Sequence, residues 1–173
     1  VAADERKPAV FFDRDGVLNV DHGYVARRED FEWVEGAMAA VRSLNQAGFY
    51  VFIATNQSGI ARGLYAVDDM HELHKFMIED LARIGAHIDD IRFCPFHPEG
   101  SIAAFRRASD WRKPGPGMIV DLMQRWPINR ERSVLIGDKE ADVEAARAAG
   151  VRGLLFPGGN LEDFVRREVL QEL

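Results

Sequence analysis

The sequence predicts an α/β protein, a doubly wound and mainly parallel sheet with helices on both faces. Three observations carry this expectation. Five short apolar runs of strand length recur along the chain, helical patterns fill the intervals, and polar or turn-forming residues follow each run. With 173 residues the chain has enough length for one domain with a substantial core. Residues 1–173 are therefore read as a single domain, with residues 1–8 as a flexible tail.

The first strand is expected at Ala9–Phe12, four consecutive apolar residues. Glu35–Ala47 sets Met38, Val41 and Leu44 on one face of a helix that Gly48 ends. Tyr50–Ala54 is the second strand. Asp68–Ile84 repeats Met70, Leu73, Met77 and Leu81 at helical spacing and stops at Gly85. The third strand falls at Ile91–Cys94. A helix over Gly115–Trp126 opens after Pro114 and closes before Pro127. Val134–Ile136 and Gly153–Phe156 are the fourth and fifth strands, separated by a helix over Ala141–Ala149 that ends at Gly150. Leu161–Leu173 forms the last helix. The periodic methionines and leucines are core residues.

Composition narrows the function classes. The chain is 47% hydrophobic and 29% charged, with a formal net charge of −6 and a pI near 5.4. That balance argues against a nucleic-acid partner held by bulk positive charge. An anionic substrate stays compatible with it, because a metal and a few cations reverse the sign locally. Cys94 is the single cysteine, so no internal disulfide forms, which fits a reducing cytoplasm. Val1–Pro8 lacks the apolar segment of a signal peptide, and no apolar run has membrane-spanning length. A cytoplasmic protein, monomeric and without membrane or nucleic-acid partners, is expected.

In doubly wound sheets ligands bind beyond the carboxyl ends of the strands. After the first strand come Asp13 and Asp15, spaced i and i+2, and then Gly16. On extended backbone these two carboxylates face one spot, where they need a cation, a shared proton or a reaction. Read alone, the pair is equally an ordinary strand-to-turn junction. After the second strand come Thr55, Asn56, Gln57, Ser58 and Gly59, donors suited to phosphate oxygens and also to plain turns. Past the third strand the chain reaches Arg112, Lys113 and Pro114, two cations near the expected start of a helix, where an anion would be welcome. After the fourth strand stand Asp138, Lys139 and Asp142. Asp142 also reads as a capping acid in a first helical turn.

Carboxylates, a hydroxyl, a lysine and another carboxylate, in that chain order, form a sharper signal than any one of them. The chain resembles the haloacid dehalogenase superfamily of phosphotransferases. The D-x-D-G-V-L-N, T-N-Q-S-G-I-A-R-G, R-K-P-x-P-G-M and G-D-K-x-x-D segments narrow the likeness, from about residue 9 to residue 156, to its heptose-bisphosphate and histidinol-phosphate phosphatase family. The resemblance implies a Mg²⁺-dependent phosphatase acting on a sugar phosphate, best matched by a heptose 1,7-bisphosphate. Asp13 is then the nucleophile, forming an aspartyl phosphate, and Asp15 the general acid and base. Mg²⁺ is bound by Asp13, Asp138 and the backbone carbonyl of Asp15. Thr55 and Lys113 hold the phosphoryl oxygens. Candidate substrate contacts are Asp21, His22, Gly23, Tyr24, Asn56, Gln57, Ser58, Arg112 and Lys139, and Asp142 stands behind the metal ligands. The short Asn19–Trp33 excursion leaves no room for a large cap domain, so an essentially capless, open site is expected.

Members of the family usually carry a structural zinc, bound by C-x-H and, further on, C-x-C. Here Cys94 keeps its place, but Phe96 stands where the histidine ligand belongs and His97 falls one residue late. Ser109, Asp110 and Trp111 replace the second half. One ligand of four cannot close a tetrahedral site, so no zinc is expected, and Phe96 and Trp111 are expected to pack together in its stead. The competing readings are a histidinol-phosphate phosphatase, a polynucleotide 3′-phosphatase (disfavoured by the acidic balance) and a non-catalytic phosphosugar-binding module. The second carboxylate, Asp15, is what a mere binder has no use for.

Overall fold

The five apolar runs become five parallel strands in the computed structural model, which describes residues 5–171. They are β1 (Ala9–Phe12), β2 (Tyr50–Asn56), β3 (Asp90–Cys94), β4 (Val134–Gly137) and β5 (Arg152–Leu155), ordered β3-β2-β1-β4-β5. The helices are α1 (Ala37–Gln46), α2 (Val67–Ala82), α3 (Gly117–Arg125), α4 (Glu140–Ala149) and α5 (Leu161–Val165). The chain walks outward from β1 to β3, then crosses back to place β4 on the other side of β1. Strand order thus reverses between β1 and β4, the point where such sheets open a crevice.

Alternation along β1 divides the core. Val10 and Phe12 join Val51, Ile53 and Ile136 under α1, α2 and α5, whereas Ala9 and Phe11 join Phe52 and Leu135 under α3 and α4. All four β1 residues are fully buried, which is why the strand reads as an unbroken apolar run. In register, Phe12 sits beside Ile53 of β2 and Ile136 of β4, so three strand ends arrive at one level. Gly48 and Gly150, expected to stop helices, both take left-handed backbone just past α1 and α4.

Differences from expectation are local. Helix α3 opens at Gly117 rather than Gly115, because Gly115 is still turned back on Arg112 and the Gly117 N–H is taken by the Asp110 carbonyl at 2.9 Å. The last helix is α-helical only to Val165 and continues as a π-helical stretch over Arg166–Leu170; positions 172 and 173 lie outside the described residues. Of the tail expected over residues 1–8, Lys7 is held in place: its N–H donates to Pro127 and its carbonyl accepts from Asn129. Residues 1–4 lie outside the described residues. Between β1 and α1 the chain forms only a short flap, with a 3-10 turn at Arg28–Asp30 and bridges from Asn19 to Asp15 and to Trp33, so the site is capless as expected. No helix among the described residues is long and apolar enough to cross a membrane.

Candidate active site

Asp13 is the first residue past β1, and its N–H still bonds the Ile136 carbonyl of β4 at 2.9 Å. That bond extends the sheet by one rung and fixes the carboxylate at the crevice. Its Oδ1 accepts from Lys113 Nζ at 2.8 Å. The same ammonium bonds the Ala54 carbonyl at 2.8 Å and Asp142 Oδ1 at 2.6 Å, in a side chain that is 2% exposed. Lys113 is therefore a buried cation with three oxygen partners, which is the condition for keeping its charge out of water. Asp142 performs two tasks. Its Oδ2 accepts the N–H groups of Asp138 and Lys139, capping α4, while Oδ1 meets Lys113. Burial, reinforced by the charge of Asp142, pushes the Asp13 carboxyl up to about 7 against the opposing pull of Lys113.

Asp15 occupies a different setting. Its Oδ1 accepts from Arg14 Nη2 at 2.8 Å and Asn19 Nδ2 at 3.0 Å, and its Oδ2 from Gln57 Nε2 at 3.0 Å. Gln57 also donates to Thr55 Oγ1 at 2.8 Å and accepts from the Tyr65 hydroxyl. Arg14, fully buried, is tied in turn to the Val25 carbonyl and faces His74 Nε2 at 3.2 Å. Asp13 and Asp15 thus share a strand end yet have separate supports: one lysine for the first, three donors for the second.

Both carboxylates open on one pocket of about 410 Å³. The structure brings Asp21, Gly23, Tyr24, Asn56, Gln57, Ser58, Arg112, Lys113 and Lys139 to its wall, as the sequence predicts. Three expected residues are not brought there: Asp138, Thr55 and His22. Thr55 is fully buried behind Gln57, and His22 turns to Glu32 at 2.9 Å. Asn56 lines the pocket, but its amide is engaged with the Lys113 backbone at both ends, at 3.0 and 3.1 Å. Sequence reasoning missed Arg14, Arg62 and Tyr65. The R in D-R-D-G and the R and Y after T-N-Q-S-G were the available signals, and nothing in their spacing says which way they point.

The residues present fit a divalent cation. Carboxylate oxygens of Asp13, Asp138 and Asp142 lie within 4.8 Å of one another, and Asp138 Oδ1 is buried without a hydrogen-bond partner. An unpartnered buried carboxylate oxygen among two other acids lacks positive charge, and hard oxygen donors suit Mg²⁺. Backbone room is made for the cluster: a Cβ on Gly16 would come within 2.1 Å of Asp138 Oδ2, and one on Gly137 within 2.1 Å of Asp142 Cβ.

The loop that carries a zinc site in the family is here packed with side chains. Cys94 is buried with Ala54 and Met118, and both Phe96 and Trp111 lie against this group. The expected pairing of Phe96 with Trp111 is not what the structure shows: among the described residues the ring that meets Phe96 is Phe105, at 6.2 Å, and the Arg107 guanidinium covers its face at 3.8 Å.

Comparison with known proteins shows the family to which a chain with this strand-end arrangement belongs. A family described as "HAD-hyrolase-like" matches residues 110–168. A D-glycero-beta-D-manno-heptose-1,7-bisphosphate 7-phosphatase from Rhodopseudomonas palustris is 51% identical over 170 residues, 98% of this chain and 94% of its own. The enzyme of that name from Escherichia coli K12 is 44% identical over 144 residues, covering 83% of this chain and 75% of its own. Among solved structures, a D,D-heptose 1,7-bisphosphate phosphatase from B. bronchiseptica, complexed with magnesium and phosphate, superposes with a TM-score of 0.78 at 33% identity, over 96% of this chain and 87% of that one. With relatives this similar over nearly its whole length, the chain belongs to the heptose-1,7-bisphosphate 7-phosphatase family of the haloacid dehalogenase superfamily.

Proposed function

We propose that this protein removes the 7-phosphate of D-glycero-β-D-manno-heptose 1,7-bisphosphate. The observation that carries the reading is that Asp13 and Asp15 open on one pocket with different partners, Lys113 for the first and Arg14, Asn19 and Gln57 for the second. One Asp13 oxygen is held by Lys113, which leaves the other to attack phosphorus. The phosphorus–oxygen bond to the sugar then breaks, Asp15 protonates the departing oxygen, and the phosphoryl group rests on Asp13. Asp15, now ionised, takes a proton from water as that water attacks the aspartyl phosphate, releasing inorganic phosphate and restoring Asp13. Lys113 neutralises charge on the phosphoryl oxygens throughout. Thr55 acts through Gln57, fixing the amide that orients Asp15. Asp13 and Asp138, with the Asp15 carbonyl, would hold Mg²⁺, which offsets the repulsion between carboxylate and phosphate.

The reading includes a single domain over 1–173 that works as a monomer in the cytoplasm, without nucleic-acid or membrane partners, in keeping with the net charge of −6 and the lone cysteine. It also includes the absence of structural zinc, supported by the aromatic and guanidinium packing around Cys94. The test compares kcat/KM for heptose 1,7-bisphosphate, histidinol phosphate and hexose phosphates in Mg²⁺. Heptose bisphosphate is expected to lead, and Asp13→Asn or EDTA to abolish turnover. A wild-type protein inert towards every phosphate ester would overturn the enzyme reading, and a lead for histidinol phosphate would overturn the substrate. Elemental analysis of purified protein is expected to find no stoichiometric zinc; a one-to-one zinc content contradicts that part.

A further inference from the structure

His97, which falls one place away from the family's metal-ligand position, has a ring geometry that points to a ligand of another kind. Its Nδ1 accepts the Glu99 N–H at 3.0 Å. A neutral imidazole that accepts at Nδ1 carries its proton at Nε2. Nε2 faces Nη2 of Arg62 at 3.3 Å, and a guanidinium can only donate. Two N–H donors thus point at one another with no acceptor between them. Arg62 and Arg112 both line the pocket, and among the described residues neither has a carboxylate within ion-pair distance. Both charges reach His97: after partial desolvation, Arg112 and then Arg62 hold its imidazole below the ordinary range, with Glu99 opposing them. Arg62 is exposed and Arg112 half-buried, whereas the buried Arg14 is matched by Asp15 and Arg92 by Asp90 and Asp121.

We infer that Arg62 and Arg112 on the pocket wall, with His97 set against Arg62, form an anion subsite, which takes the second phosphate of a bisphosphate substrate while the first is held at Asp13 and Lys113. One phosphate oxygen bridging Arg62 Nη2 and His97 Nε2 from the side, as the two N–H groups turn towards it, satisfies both donors at once, and the Arg62 and Arg112 guanidinium groups supply the charge. The subsite rests on the phosphatase reading and deepens it. It makes the enzyme select sugars carrying phosphates at both ends. His97 belongs to the loop whose Ile102 N–H docks on the Ala61 carbonyl at 2.9 Å, so the loop stays attached to the Arg62 segment without any help from the His97–Arg62 contact.

The test is the ratio of kcat/KM for heptose 1,7-bisphosphate to that for heptose 7-phosphate, which lacks the second anion. Losing a hydrogen bond to a charged group corresponds to about 10- to 100-fold, so Arg62→Ala and Arg112→Ala are each expected to lower the ratio by about that factor, mainly through KM. His97→Leu is expected to lower it too, and His97→Gln, which keeps a donor, to restore part of it. Equal losses on both substrates for Arg62→Ala, or a His97→Gln ratio no better than that of His97→Leu, would overturn the subsite. Absence of wild-type turnover on both substrates strikes the phosphatase reading itself, which separates the two failures.

Discussion

A methyl group on Gly16 would press on Asp138 Oδ2 at 2.1 Å, and the residue's φ of +86° is one that side chains avoid. Both costs fall on the acidic cluster, because Asp138 is the neighbour that must move. Gly16→Ala is expected to destabilise the fold by about 1–3 kcal/mol and to raise the Mg²⁺ concentration for half-maximal activity by about tenfold or more. Urea unfolding and a Mg²⁺ titration of turnover check the two effects, and an unchanged Mg²⁺ requirement removes Asp138 from the set of ligands. At this scale the sequence was legible where chemistry follows from chain position. Asp13, Asp15 and Asp138 had only to lie past strand ends, and Lys113 reaches Asp13 from the turn before α3. It was not legible where the direction of a side chain decides, so that Thr55 lies behind Gln57 and His22 on Glu32. Arg14 was hidden for a related reason. An arginine in a turn reads as exposed, and only the folded chain shows it buried against Asp15, Val25 and His74.

Strand β2 delivers more than the chemistry of its last residues, because Asn56 grips the turn that carries Lys113. The Asn56 amide accepts the Lys113 N–H and donates to the Lys113 carbonyl, acting as one further rung between β2 and a segment that is not a strand. This clamp adds to the Gly115 and Gly117 hydrogen bonds that keep the segment through Pro114 out of α3, a shift that apolar periodicity alone could not show. The strands themselves were readable, β1 at both ends, because runs buried on two faces leave little choice of side-chain type. Asn56→Ala leaves two backbone groups of Lys113 without their partner. It is expected to cost about 1–3 kcal/mol of stability and to lower kcat by about tenfold or more, since a misplaced ammonium no longer meets Asp13. Thermal melting with steady-state kinetics checks this. A variant with lowered stability but unaltered kcat shows that Lys113 keeps its place through Asp13, Ala54 and Asp142 alone.

Across the whole molecule, the site is linked to α2 through a histidine that must stay neutral. His74 is 4% exposed and its Nε2 faces Arg14 Nη1 at 3.2 Å, so this nitrogen accepts and the ring proton sits on Nδ1. Burial first, and then the positive charge of Arg14, lower its pKa to about 3. In the unfolded chain the ring takes up a proton near its ordinary 6.5. Between those two values the unfolded state binds a proton that the folded state refuses, so stability falls as pH drops below about 6.5, and the loss levels off only near 3. Asp13 has the opposite sense in metal-free protein. Its raised carboxyl keeps a proton that the unfolded chain gives up from 3.8 upward, so its part of the stability declines as pH rises towards 7. The two slopes overlap, and the net curve of the wild type identifies neither group. Replacing His74 separates them. His74→Gln retains an acceptor for Arg14 and removes the titration, so the difference between wild type and variant isolates the imidazole. That difference is expected to change by up to about 1.4 kcal/mol per pH unit between pH 6 and 4, with the variant the less sensitive to acid. Urea unfolding free energies measured at half-unit steps in EDTA give the comparison directly. Parallel curves for the two proteins would mean that His74 accepts its proton in the folded state and that Arg14 yields to it.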